Sequence, residues 1–185
     1  MATFGAGRRR WRRAAAGVGF VLAAAPALPA ERTLVDPAVD VRVYLPGAGD
    51  VGAVKAALAG ARRRLESGSC QILFTEFAGG DGRPLAASLE GLGQTGASYL
   101  SLLSFYNGDG APRCQDSLLP ISAFTVPGSR VIHVCPRFAG IQRRDSREAE
   151  ATLIHEALHS LGLGENPPSS RHIRARVLAL CPDAR

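Results

Sequence analysis

Residues 145–162 read DSREAEATLIHEALHSLG, and their spacing is that of a helix lying on a core. Ala151, Ile154, Ala157, Leu158 and Leu161 recur at intervals of three and four, which sets them on one stripe of a 3.6-residue period. Asp145 or Ser146 supplies a side-chain oxygen for the N-cap, Glu148 puts an acid in the first turn where the dipole favours one, and Gly162 ends the helix. A stripe of this kind must be buried against another layer, so the neighbouring segments decide the fold.

Upstream, 123–126 and 130–135 flank Pro127-Gly128-Ser129 and predict a hairpin, with 136–146 as a loop between it and the helix. Downstream, Pro167-Pro168-Ser169-Ser170 begins a last, serine-capped helix to about residue 180. Nearer the N-terminus, Val41, Val43 and Leu45 alternate with polar neighbours as a half-buried strand does. Asp50 caps a helix over 50–66 whose end carries Arg62, Arg63 and Arg64. The run QILFTEF predicts a strand over 71–77, 78–83 a loop, 84–92 a short helix, 99–106 another strand, and the following stretch to 120 a long glycine-bearing loop. No internal repeat is visible. The pattern is α+β, one sheet with helices packed on it.

With 185 residues the chain holds one domain and a leader. Residues 8–13 (RRRWRR), 14–25 (AAAGVGFVLAAA) and 25–30 (APALPA) follow the order of a cleavable signal peptide: a positive start, a short apolar run and a small-residue cleavage site. The expected division is therefore a signal peptide over 1–30 and one domain over 31–185, secreted or periplasmic. The apolar run is too short to span a bilayer, so no stable membrane insertion is expected once it is cut. The formal charge of +6 sits mostly in that leader. Five of the 22 basic residues and none of the 16 acidic ones precede Glu31, leaving 17 against 16 and a net of +1. The domain thus has no global electrostatic case for nucleic acid. Its four cysteines, Cys70, Cys114, Cys135 and Cys181, include no CxxC pair and in an oxidising compartment predict two disulfides. Of three connectivities the preferred one is Cys70–Cys114 with Cys135–Cys181, which pins the C-terminal segment to the strand before the long helix.

His155-Glu156-Ala157-Leu158-His159 is an HExxH pattern, which a shuffled chain of this composition would contain with a probability of about 0.003. Histidines at i and i+4 share one helix face, so both imidazoles can reach one Zn²⁺ while Glu156 stands beside its bound water. That spacing assigns His155 and His159 as metal ligands and Glu156 as the catalytic general base.

The stretch from Thr152 to Gly162 (TLIHEALHSLG) resembles the active-site helix of zincin metallopeptidases. Ile132 onward (IHVCPRF) through the helix resembles the deuterolysin-like aspzincins, and the segment extended to Ser170 is similar to secreted bacterial proteins of uncharacterised function. The resemblance covers roughly residues 131–181. It implies a twisted mixed sheet over the metal helix, a zinc cofactor and peptide-bond hydrolysis. In the metzincin pattern a third ligand stands six positions after the second histidine; here Gly162 matches and that position is Glu165. Gly162 and Gly164 leave the backbone free to bring Glu165 back. Beyond His159 the other ligand-type side chains are His172, Cys181 and Asp183.

Tyr99, Tyr106 and Arg137 are candidates to stabilise an oxyanion, and the spacing does not choose among them. His133 reads as a packed histidine, and Asp81-Gly82 and Asn107-Gly108-Asp109-Gly110 as turns. The expected partner is a peptide or protein substrate, paired along the hairpin at 123–135 as an added strand, and the chain is expected to be a monomer. The competing reading is an exported, non-catalytic binding or structural module whose metal site is vestigial or stabilising.

Overall fold

The strands Arg42–Tyr44 (β1), Ser104–Asn107 (β2), Ala123–Thr125 (β3) and Val131–Val134 (β4) form one sheet in the order β1-β2-β4-β3. The first three in that order run parallel and β3 returns antiparallel along the edge. The computed structural model describes residues 41–118 and 120–183, within the second of the two units into which the chain divides. The signal peptide expected over 1–30, and the boundary after it, lie outside the described residues. Within them the architecture is α+β with a small mixed sheet, and no helix is long and apolar enough to cross a membrane.

Registration sorts the sheet into two faces. Val43, Phe105, Ile132 and Thr125 stand in one row toward the core, where Phe105 and Ile132 are fully buried. Tyr44, Tyr106, His133 and Phe124 make the next row on the other face. There Tyr44 stacks on Tyr106 with centroids 4.8 Å apart, and Phe124 on His133 at 4.9 Å.

The core face is covered by the helices Ala48–Leu65 (α1) and Ser146–Ser160 (α7), which pack on each other and, through α7, on β3. Asp145 N-caps α7 by accepting from the Glu148 N–H at 3.0 Å, as its position predicts, and Gly162 terminates it at φ 113°, a backbone conformation a side chain disfavours. Asp50 does not cap α1; it lies in the first turn and Gly47 is the N-cap. Ser170–Leu180 (α8), capped by Ser169, is strapped on both sides. Arg174 forks onto Glu148 of α7. Arg176 forks onto Glu76 of the helix Gly68–Glu76 (α2).

That α2 corrects the strand expected over 71–77. Cys70, Leu73, Phe74 and Phe77 are all buried, and their spacing of i, i+3, i+4 and i+7 is helical. Ser67 caps the segment, accepting from the Cys70 N–H. The short helix Leu85–Gly91 (α3) forms where expected. The strand expected over 99–106 is shorter at its front, because Thr95 and Ser98 close a capping box that winds Gly96–Tyr99 (α4) and then the 3₁₀ turn Leu100–Leu102. The strand itself begins at Ser104. The stretch 136–146 is likewise not all loop: Phe138–Arg144 (α6) is a helix that buries Phe138 and Ala139.

The disulfides are Cys70–Cys181 and Cys114–Cys135, which overturns the preferred pairing. The first follows from α2 and α8 lying side by side with the two Cα atoms 4.5 Å apart. The second follows from the sheet order. Neighbouring parallel strands β2 and β4 end together, so the short helix Pro112–Gln115 (α5) that follows β2 meets Cys135 at the end of β4.

Candidate metal centre

The last turns of α7 carry His155, Glu156 and His159, each less than a tenth exposed. One turn of helix brings both imidazoles to the same side, with Nε2 of His155 2.9 Å from Nε2 of His159. That is a hydrogen-bond separation; two nitrogens each about 2.05 Å from one tetrahedral ion stand about 3.3 Å apart, so a shared cation needs the rings to part by only about 0.4 Å. Nδ1 of His159 lies 2.8 Å from the Leu163 carbonyl. A carbonyl only accepts, so Nδ1 carries the hydrogen and Nε2 presents its lone pair toward His155. Burial, with His159 adding to it, pulls His155 down to about 3, keeping that ring neutral, the form a metal requires.

Glu165 arrives by way of the chain reversal at Gly162. Gly80 donates its N–H to the Gly162 carbonyl at 3.1 Å, and Gly79 bridges Leu163, so the loop 78–83 holds the chain at the start of the segment that leads to Glu165. Ligand atoms of His155, His159 and Glu165 then all lie within 4.8 Å of one another. Two buried imidazoles and one exposed carboxylate fit the nitrogen–oxygen donor set of an open zinc site. The other ligand-type side chains are engaged elsewhere. His172 meets the Phe77 ring edge-on, Cys181 is in a disulfide, and Asp183 pairs with Arg64.

Burial, reinforced by the Glu165 charge, pushes the Glu156 carboxyl up to about 8; the Thr125 backbone N–H and the Arg113 charge oppose it. Neither Thr125 nor Arg113 was legible as a site residue. Thr125 acts through its backbone, which carries no residue-type signal, and Arg113 lies in a stretch that reads only as a loop. The three oxyanion candidates stand differently. Tyr99 is buried, with its hydroxyl accepting from Ser160 at 3.0 Å; Tyr106 stacks on Tyr44; and Arg137 is the N-cap of α6. The hairpin turn reaches the site instead, where Gly128 donates to the His159 carbonyl at 2.9 Å.

No protein-family model, no curated protein and no solved structure matches the chain.

Proposed function

We propose that this chain is an exported zinc-dependent peptidase of zincin type, in which His155, His159 and Glu165 hold the metal and Glu156 is the general base. The observation that carries this reading is the convergence of those three ligand atoms within 4.8 Å beside a buried carboxylate. Zinc bound there would polarise a carbonyl and lower the pKa of water. Burial by itself raises the Glu156 carboxyl; a bound cation would draw it back down, leaving a carboxylate able to take a proton from water and return it near neutral pH. The edge strand β3 has one side unpaired within the sheet and ends at Thr125, beside Glu156. An extended peptide adding there as a further strand would pass the base. Two disulfides and the lack of a membrane-capable helix among the described residues fit an exported chain.

The near-complete burial of His155, Glu156 and His159 favours one other reading, a metal that only stabilises. Elemental analysis and thermal unfolding of the purified chain test the site itself. The expected result is one zinc per chain, lost in His159→Ala and bound at least tenfold more weakly in Glu165→Ala. Saturating zinc at 100 times its dissociation constant would add about 2.7 kcal/mol of stability to the wild type and little to His159→Ala. Absence of zinc from wild-type protein refolded with the metal would remove the basis of both readings.

A further inference from the structure

The segment from Asn107 to Gln115 is built with more care than a connecting loop needs. Nothing in α5 is buried, so the core gains no apolar burial from it. Yet Asn107 Oδ1 accepts from the Asp109 N–H, Ala111 donates to Gly108, Gln115 reaches back to the Asp109 carbonyl, and Cys114 is bonded to Cys135. Gly108 donates to the Val134 carbonyl at 2.9 Å, and a Cβ on it would lie only 2.8 Å from the Cys114 sulfur, so the loop closes down on β4. Ordering an exposed segment costs conformational entropy, and here the cost fixes Arg113 in place.

Arg113 is exposed, and its guanidinium carbon lies 5.7 Å from the centroid of the Phe124 ring. Phe124 is in turn stacked on His133, so the cation rests on a fixed plane. Among the described residues no carboxylate lies within ion-pair distance of it. The hairpin that carries Phe124 packs on α7, where its turn residue Gly128 donates to the His159 carbonyl. Phe124 and Thr125 are successive residues of β3 and face opposite sides of the sheet. The edge strand therefore packs against the helix that bears Glu156 and holds an unpaired cation over Phe124 on its other face.

We propose that Arg113 is a substrate-binding residue of this site, receiving a carboxylate side chain of an extended peptide that lies along β3, so that the chain acts on acidic peptide segments. This rests on the peptidase reading. A peptide alongside β3 turns alternate side chains to the two faces. A side chain on the Phe124 face meets Arg113 while the backbone passes Glu156. Arginine suits the task because its planar fork takes a carboxylate in two parallel hydrogen bonds. The acidic residue is expected within two positions of the bond cleaved.

Two measurements on the zinc-loaded chain test this. The first is binding of a fluorescein-labelled decapeptide of alternating Glu and Ala, against its Gln–Ala counterpart, to Glu156→Gln protein with and without a change at Arg113. The glutamate peptide is expected to bind at least tenfold more tightly. Arg113→Gln is expected to abolish that preference and Arg113→Lys to keep part of it, with zinc content unchanged in all. Equal binding of the two peptides, or a preference that survives Arg113→Gln, overturns the proposal. The second measurement is cleavage of a peptide mixture by the wild type, read by mass spectrometry. Hydrolysis without acidic enrichment near the cut overturns the role of Arg113 and leaves the peptidase. An Arg113-dependent binding preference with no hydrolysis overturns the peptidase and leaves Arg113 as a carboxylate receiver.

Discussion

Glu156→Gln is expected to keep one zinc per chain and to lose hydrolysis of a peptide mixture by a factor on the order of 10³. The amide has the shape of the carboxylate, and the ligand atoms on His155, His159 and Glu165 belong to other side chains, so the metal site keeps its donors. What goes is the atom that accepts a proton. The same change removes a carboxyl that burial and Glu165 disfavour in its charged form. The variant is therefore expected to unfold no earlier than the wild type, as groups kept for function are often kept at the expense of stability. Peptide turnover by mass spectrometry, elemental analysis and a thermal melt of one preparation give the three readouts. Wild-type turnover in the variant would mean that Glu156 is not the base. No turnover in either protein, with zinc bound, would leave the stabilising-metal reading.

Arg64→Leu is expected to cost about 3–5 kcal/mol in urea unfolding, the largest loss of stability anticipated for a single substitution here. Arg64 sits in α1, its side chain 7% exposed, and pairs with Glu150 of α7, whose own side chain is 11% exposed. It also donates to the Cys181 carbonyl and to Asp183, tying the end of the chain to the same point. Burial alone would lower the Arg64 pKa, but its hydrogen bonds to Glu150 and Asp183 outweigh that and hold the guanidinium above its ordinary range. Removing it strands the Glu150 carboxylate between two helices. Gly60 makes room for the Glu150 side chain, since a Cβ there would overlap its carboxylate as placed. Arg64→Leu with Glu150→Leu is expected to recover much of the loss, since the pair's desolvation cost goes with it. A loss below about 1 kcal/mol in the single variant would mean that Glu150 reaches water once freed.

How much of this was legible depended on whether the signal was local. The long helix was readable to within a residue because its stripe, its Asp145 cap and its Gly162 stop agree. The same run of residues named the candidate metal ligands, and six positions of chain after His159 were enough to reach Glu165. The hairpin followed from its turn residues alone. QILFTEF misled because its apolar and aromatic content suits a strand, while the helical stripe begins one residue earlier, at Cys70. The disulfides were misread because pairing depends on which elements end up adjacent. Nothing local says that α8 lies on α2, or that β4 rather than β3 neighbours β2. Arg113 and Thr125 became visible only with the sheet order, since both act across β3 and neither belongs to a motif.

The two bridges are nested: one joins residues 111 positions apart and encloses the other, which joins residues 21 apart. A chain delivered N-terminus first into an oxidising compartment presents Cys70 to Cys114 and Cys135 well before its native partner, Cys181, has crossed. Oxidation in order of emergence therefore joins Cys70 to the wrong sulfur and leaves a thiol that must attack that bond to correct it. If the chain is exported as proposed, its native yield is expected to depend on a thiol–disulfide isomerase and not on an oxidase alone. Non-reducing peptide mapping of protein made with and without isomerase would contradict this if both preparations held only the native pairs.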